Sequence, residues 1–192
     1  ADNGKDSALI RIPVTIVTAE IGSFNQLMQC VTATVEGEFK NEGAYYTLKN
    51  DIDAESKSIY SFTDENGAQK VPSYIGYGEG FSGTLNGNGY KVFNINLDSS
   101  GIFRGMVNAV IRNITFEVVE YKSSVSGATL FANNVKDCLF EHVDIILKTA
   151  VNMETNGNAG LLIAQQTSGT TFRNVDIQAK RSILTTLVGN GY

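Results

Sequence analysis

The chain has 192 residues and a formal net charge of −5, and 42% of its residues are hydrophobic against 18% charged. This length suits one domain that buries a sizeable core. The acidic balance argues against a nucleic-acid or anionic-membrane partner, since both need a cationic patch. No apolar run reaches the roughly 20 residues of a membrane-spanning helix. The sequence shows neither an initiator Met nor a signal peptide, which indicates a mature or excised chain.

Residues 1–40 predict a strand followed by a short helix. Residues 9–19 alternate and are rich in β-branched side chains, which is typical of a strand. Ser23 suits the N-cap of a helix that follows it. Four apolar side chains would share one face of this helix: Phe24, Leu27, Met28 and Val31. We expect residues 20–36 to cap an open end of the β structure, where unpaired edges invite aggregation.

Residues 41–192 repeat a six-residue pattern in which positions one, four and six are apolar and position three is Asn or His. The copies are Val92–Leu97, Ile111–Phe116, Phe140–Ile145 and Phe172–Ile177. Their spacing varies, and no amphipathic helix of useful length lies between them. Stacked coils with insertion loops give such a pattern, and each coil supplies the crossover that parallel strands need. The sequence therefore predicts an all-β fold, a parallel β-helix (solenoid) with a short N-terminal capping helix.

Aligning the copies assigns their side chains to columns, of which the first, fourth and sixth face the interior. The third column falls where the alternation breaks, so we place it at a bend. There it would form a structural hydrogen-bonded ladder of Asn94, Asn113, His142 and Asn174. The alternatives to this structural role for His142 are a catalytic role and an exposed residue that stands in the column by chance.

Two columns face outward in the same alignment. One holds Phe93, Arg112, Glu141 and Arg173, and the other holds Asn96, Thr115, Asp144 and Asp176. Asp144 and Asp176 are weak candidates for a Ca²⁺ site or an acid–base pair. The alternative is that they are two solvated aspartates.

Few residues in this sequence could bind a metal through nitrogen or sulfur. Cys30, Cys138 and His142 are the only residues of their types, and zinc needs about four such ligands at short spacing. The predicted coils separate the two cysteines by several layers, so we expect free thiols. We expect no cofactor and no metal.

The sequence ends on a motif that it has used before. Val188–Tyr192 repeats Asn86–Tyr90, which leads into the first copy of the six-residue pattern. The repeat indicates either a further coil that has been cut off or a domain boundary. We favour truncation of a longer protein.

Several segments resemble bacterial surface proteins with GLUG repeats. Tyr46–Asp53 is similar to their Y-x-L-x-x-D-I-D segment, and Phe81–Tyr90 to their F-x-G-T-F-D-G-N-G-H turn. Ile102–Gly105 resembles their G-L-F-G motif and Ile111–Ile114 their I-x-N-L motif, so the likeness covers roughly residues 14–180. Asn86 and Tyr90 depart from the usual Asp and His.

This resemblance implies a right-handed β-helix on secreted or cell-surface bacterial proteins. The family includes adhesins and lipoproteins of gut bacteria, and some members accompany immunoglobulin-A-cleaving metallopeptidases. The peptidase chemistry is not carried over, because this chain lacks the zinc motif.

We therefore expect a non-catalytic extracellular surface module for adhesion, with a glycan or a host surface protein as partner. Its candidate ligand-binding residues are Tyr74, Tyr77, Phe81 and Tyr121. They lie in or beside loop segments, and aromatic faces stack on sugars and on protein partners. The alternative for Phe81 is that it folds its loop back onto the core.

Two other functions stay open. One is a structural spacer that displays another domain. The other is a polysaccharide lyase or hydrolase, whose residues would be Asp144 and Asp176 with Lys148 and Lys180 nearby.

Overall fold

The parallel strands of the computed structural model form a β-solenoid of about three turns. The structure describes residues 18–31, 42–55, 62–63, 67–70, 81–98, 101–122, 129, 132–149, 151–154, 160, 163–179 and 184–188. The chain is thus mostly β, as the sequence predicts, with one helix in these ranges. None of the described helical structure is long and apolar enough to cross a membrane.

The elements follow one another in chain order. The first eight are β1 (Ala19–Ile21), α1 (Phe24–Val31), β2 (Tyr45–Leu48), β3 (Ile52–Asp53), β4 (Phe62–Thr63), β5 (Gln69–Lys70), β6 (Thr84–Asn86) and β7 (Lys91–Asp98). The others are β8 (Phe103–Val107), β9 (Val110–Lys122), β10 (Ala132–Lys136), β11 (Leu139–Leu147), β12 (Val151–Glu154), β13 (Ile163–Ser168), β14 (Thr171–Ala179) and β15 (Leu184–Val188).

The main sheet is parallel throughout its described strands. Its order is β1-β2-β6-β9-β11-β14, and β7 pairs with both β3 and β9. A second parallel sheet has the order β13-β10-β8, and β12 pairs in parallel with β15. The strands β4 and β5 form a small antiparallel pair. Each later coil therefore contributes one strand to each parallel sheet.

Each coil turns at residues that adopt the left-handed conformation. The corner between the second sheet and the main sheet has positive φ at Asn108, Asp137 and Gly169, with values of 53°, 53° and 55°. The corner within β9, β11 and β14 has φ values of 51°, 52° and 50° at Asn113, His142 and Asn174. Asn, Asp, His and Gly tolerate this region better than other residues, which explains why they occupy both corners.

Stacked apolar side chains form the core on either side of the second corner. Ile111 lies in register with Phe140, and Phe140 with Phe172. The rings of Phe140 and Phe172 stack with centroids 5.1 Å apart and planes at 7°. After the corner, Ile114, Val143 and Val175 form the next interior column in register. These three copies of the pattern thus align as the sequence predicts.

The predicted alignment of the first copy is wrong. Val92 lies in register with Phe116 and Ile95 with Val118, whereas Leu85 occupies the place above Ile111. Asn94 therefore does not stack on Asn113. It also has a positive φ, of 56°, but at a different bend of the coil.

The physical reason for this shift is the Gly-rich turn between β6 and β7. Gly87 N donates to the carbonyl of Arg112 and Gly89 N to that of Asn113, each at 2.9 Å. The turn therefore stacks on the corner at Asn113. It adds residues at this corner that the later coils lack, and these residues shift the alignment of β7. A Cβ at Gly87 would overlap the Asn113 carbonyl oxygen and the side chain of Ile114, so only glycine fits.

Helix α1 begins where the sequence predicts. Ser23 Oγ accepts a hydrogen bond from Gln26 N at 3.3 Å, as an N-cap does. Its predicted apolar face lines a cavity together with coil residues Val92, Ile95, Ile102, Phe103 and Phe116. Of the strand predicted over 9–19, residues 9–17 lie outside the described residues, and β1 begins at Ala19.

Candidate functional site

The outer surface of the main sheet carries a continuous column of polar side chains. In register from one end of the sheet to the other, it contains Glu20, Thr47, Asn86, Arg112, Glu141 and Arg173. Asn86 takes the place that the sequence alignment gave to Phe93. The buried interior columns place the backbone beneath these side chains, so the column forms one continuous polar face.

A cluster on this face joins three neighbouring strands, and we call it the Tyr45 cluster (Tyr45, Asn86 and Arg112). The hydroxyl oxygen of Tyr45 accepts a hydrogen bond from Arg112 Nη2 at 2.7 Å and another from Asn86 Nδ2 at 2.9 Å. The guanidinium carbon of Arg112 lies 5.4 Å from the centre of the Tyr45 ring. The ring is therefore held in a fixed orientation at the partly buried surface.

The hydrogen bonds of the Tyr45 cluster change the acidity of the phenol. Burial raises the pKa of Tyr45. The hydrogen bonds from Arg112 and Asn86, together with the charge of Arg112, lower this pKa by more than burial raises it. The net pKa therefore lies below its usual value. Since the oxygen already accepts two hydrogen bonds, the hydroxyl proton remains available as a donor to an approaching group.

Arg112 keeps one polar atom without a partner in the described structure. Its Nε is buried and makes no hydrogen bond, while its Nη2 is used by Tyr45. Glu141, the next residue of the column, forms an ion pair with Arg173 at 3.6 Å. The polar face is thus partly satisfied within itself, and Arg112 Nε is buried beneath its surface.

A second charged group lies beyond the corner. Lys91 Nζ is 3.1 Å from Glu117 and Lys148 Nζ is 3.4 Å from it, so one carboxylate serves two lysines. Burial raises the pKa of Glu117, but the hydrogen bond from Lys91 and the two positive charges lower it more, and the net pKa falls. These ion pairs connect β7, β9 and the residue that follows β11 at the surface.

The structure changes the predicted set of aromatic ligand residues. Tyr74 and Tyr77 lie outside the described residues. Phe81 is only 1% exposed and stacks on Phe103 at 6.1 Å between ring centroids, and Tyr121 is 6% exposed. Phe81 and Tyr121 are core residues because both continue interior columns, so neither presents a ring face on the surface. For Phe81, the alternative of folding the loop onto the core is what the structure shows.

The two candidate acidic residues lie side by side. Asp144 and Asp176 are in register on β11 and β14, and Thr115 and Lys91 continue their column. Lys148 is paired with Glu117, and Lys180 lies outside the described residues. In the part of the chain that the structure describes, no three His, Cys, Asp or Glu residues are close enough to share a metal ion.

The predicted ladder residues make hydrogen bonds at their bends. Asn174 Nδ2 lies 2.9 Å from His142 Nε2, and Asn113 Nδ2 donates to Asn86 Oδ1 at 3.2 Å. The first of these bonds makes His142 Nε2 the acceptor, since an amide nitrogen only donates. Asn94 Nδ2 instead donates to Asp53 Oδ1 at 3.0 Å, because its bend stacks on a different coil.

Both cysteines are free thiols. Cys138 is buried at the first corner, and its Sγ lies 3.2 Å from the carbonyl oxygen of Lys136. Burial raises the pKa of Cys138, which keeps the thiol protonated and unreactive.

The sequence alignment missed the Tyr45 cluster. Tyr45 precedes the first copy of the six-residue pattern, and the misaligned first copy separated Asn86 from Arg112. The sequence did contain a signal for the correct alignment. If the Gly-rich turn after Asn86 is treated as an insertion, the pair Leu85 and Asn86 aligns with the pair Ile111 and Arg112, an apolar residue followed by a polar one.

Comparison with known proteins gives one match to report. The chain is 30% identical over 122 residues to a protein named halomucin from Haloquadratum walsbyi, a stretch that covers 60% of this chain and 1% of that protein. No family model matches the chain, so membership of the GLUG family stays a prediction. No solved structure matches it.

Proposed function

We propose that this chain is a non-catalytic surface module outside the cell and that its polar face binds a glycan. The observation that carries this proposal is the Tyr45 cluster, in which a partly buried aromatic ring is fixed beside an arginine and an amide. Sugars are bound by such combinations, since the ring stacks on C–H groups while the polar groups bond the hydroxyls.

The likeness to halomucin supports an extracellular role, because that relative is a surface protein. This chain corresponds to about 1% of that protein, so a whole-protein activity does not follow from the match. Attachment to the surface, as a lipoprotein or within a longer chain, belongs to the same proposal.

We also assign α1 the role of a cap, and the coil a right-handed course. The apolar face of α1 lies against Val92, Ile95 and Phe116, which are interior residues of the coil. A helix in this place shields the apolar end of a solenoid from water and from other strands. The right-handed course rests on the GLUG resemblance alone.

The ligand chemistry follows from the groups in the cluster. A glycan that carries a carboxylate would meet Arg112 and the Tyr45 hydroxyl, both of which donate hydrogen bonds. A host protein with an acidic loop would present the same chemistry. Tyr74 and Tyr77 remain candidates for further contacts.

A glycan array probed with the purified chain tests the proposal. Substituting Tyr45→Phe keeps the ring and removes the hydroxyl, and Arg112→Gln removes the charge. Each should weaken a bound acidic glycan by roughly tenfold or more, the scale of one hydrogen bond to a charged group. Lys148→Gln, on the other side of the corner, is the matched control and should bind as the wild type does.

Two results would count against this proposal. Absence of binding to any glycan and to acidic peptides would favour the spacer, in which the polar column only stabilises the stack. Release of unsaturated or reducing sugar ends from a bound polysaccharide would favour an enzyme, and loss of that activity in Asp144→Asn would place the chemistry at Asp144 and Asp176.

A further inference from the structure

A second outward column runs beside the polar column of the main sheet. Val110 is partly exposed although both of its chain neighbours are buried, and the same holds for Leu139. Side chains that alternate in this way along a strand point away from the core. We call this second column the Val110 column, and in register along the sheet it contains Tyr45, Thr84, Val110, Leu139 and Thr171.

The two columns differ in chemistry and together form what we call the outer strip. The Val110 column presents an aromatic ring, aliphatic side chains and the methyl groups of threonines. Tyr45 joins the columns, because its hydroxyl accepts hydrogen bonds from Arg112 and Asn86 of the polar column. A ligand lying on the strip would meet carbon–hydrogen surface along one edge and polar or charged groups along the other.

The outer strip repeats this pairing of columns on successive strands. Neighbouring strands of a sheet lie about 4.8 Å apart, so the strip from β2 through β6, β9 and β11 to β14 spans roughly 19 Å. A ligand that matches the whole strip must itself repeat at a similar spacing. An extended chain of pyranose rings meets this requirement, because it advances by a similar distance per ring. Each ring also has a carbon–hydrogen face that packs on aromatic and aliphatic groups and an edge of polar groups.

The charges of the polar column select the kind of saccharide repeat. Arg112 and Arg173 lie two strands apart, and Glu141 lies between them. A ligand carboxylate opposite either arginine would gain a charge-assisted hydrogen bond. A carboxylate opposite Glu141 would be repelled by it. The favourable arrangement therefore has one carboxylate at every second ring along the edge that faces the polar column.

We propose that the ligand is a linear polysaccharide with a carboxylate at every second ring, and that it lies along the solenoid axis with about one ring per strand. This assignment rests on the proposed function above and gives that function a class of ligand. The ring faces pack on Tyr45, Val110 and Leu139, and the carboxylates bind Arg112 and Arg173. The Tyr45 cluster then holds one part of the polymer, while β11 and β14 hold the next part.

The dependence of affinity on ligand length tests the proposal. Hyaluronan oligosaccharides alternate a uronic acid with a neutral amino sugar, so they carry a carboxylate at every second ring. Titration calorimetry should give a dissociation constant roughly tenfold or more lower for six rings than for two, since six rings reach both arginines. Chitin oligosaccharides have neutral rings throughout, and six of their rings should bind more weakly than six rings of hyaluronan.

Variants far from Tyr45 distinguish an extended ligand from one held at the Tyr45 cluster alone. Arg173→Gln and Leu139→Thr should each weaken the six-ring ligand several-fold and the two-ring ligand by less. Leu139→Thr introduces a residue type that the Val110 column already contains, so the strand should fold. Gln178→Glu, on β14 beyond the corner, changes the net charge as much as Arg173→Gln does and is the matched control. It should bind as the wild type does, and thermal melts verify the fold of each variant.

Three outcomes would overturn the extended ligand. They are equal affinities for two and six rings, equal affinities for hyaluronan and chitin, and six-ring binding that neither Arg173→Gln nor Leu139→Thr weakens. If a short or branched glycan still binds and Tyr45→Phe weakens it, the proposed function stands without the extended ligand. Absence of binding to every glycan and acidic peptide would remove both.

Discussion

Strands β11 and β14 carry the same six-residue pattern but lie in different surroundings. Phe140 of β11 has a strand above and below and is 1% exposed, while Phe172 of β14 has a neighbour on one side and is 39% exposed. The periodic pattern therefore specifies which way a side chain points. The adjacent coils decide how much of that side chain is buried, and with it how much the residue stabilises the fold.

The largest predicted difference in stability is between the alanine substitutions of Phe140 and Phe172. Phe140→Ala should lower the free energy of unfolding by about 3–5 kcal/mol, as the loss of a buried Phe does. Phe172→Ala should cost roughly half of that or less, because the ring is partly in water already. Urea unfolding of the two variants at low protein concentration measures both. Equal losses would mean that β14 is as enclosed as β11.

Gly87→Ala tests the turn that sets the first coil apart from the later ones. The added methyl group would overlap the Asn113 carbonyl and Ile114, so we expect a loss of about 1–3 kcal/mol. Gly43→Ala is the control, since a Cβ there meets nothing within 4 Å and only its φ of 71° opposes the change. The control should lose about 1 kcal/mol or slightly more. A harmless Gly87→Ala would contradict the close contact between the turn and the corner.

His142 tests the corner that β11 shares with its neighbours. His142→Asn should change the stability by less than about 1 kcal/mol, because Asn tolerates a φ near 52° and supplies an acceptor for Asn174. His142→Ala should lose about 1–2 kcal/mol, since it removes the acceptor and disfavours the left-handed backbone. Thermal melts compare the two. A binding defect in a stable His142→Asn protein would point to a functional histidine.

The smallest effect concerns the charges across the outer surface. Folding lowers the pKa of Glu117 from its usual value of 4.5. At pH values above 4.5, the ionised carboxylate therefore stabilises the folded state. That contribution disappears as the pH falls through the lowered pKa of the folded state. Glu117→Gln should therefore cost under about 1 kcal/mol at pH 7 and nothing in strong acid. A stability difference that does not shrink on acidification would rule out the ion pairs as its cause.

Much of the fold could be read from the sequence, because corners leave a local signature. Asn113, His142 and Asn174 mark the same bend in three coils, and the apolar positions around them give the register of β9, β11 and β14. Asn94 marks a bend as well, but at a different place in its coil. The six-residue pattern predicts that a bend is present. It does not predict which corner of the coil the bend forms when an inserted turn changes the length of that coil.

The candidate site was harder to predict for the same reason. The Tyr45 cluster depends on which coil lies next to which, and one shifted alignment separated its members. The aromatic residues chosen from their loops included Phe81 and Tyr121, which complete interior columns instead. Exposure is a property of the stacked coils, so a list of aromatic residues in loops does not define a surface.

Cysteine crosslinking measures the strand register on which the polar face depends. With Cys30→Ser and Cys138→Ala as background, Lys91→Cys and Thr115→Cys should form an intramolecular disulfide, because paired strands lie about 4.8 Å apart. Asn96→Cys with Thr115→Cys, the pair that the repeat pattern alone aligns, should stay reduced under the same mild oxidation. Mass spectrometry of unreduced peptides distinguishes the two. A crosslink in the second pair and none in the first would contradict the register of the first coil and the Tyr45 cluster with it.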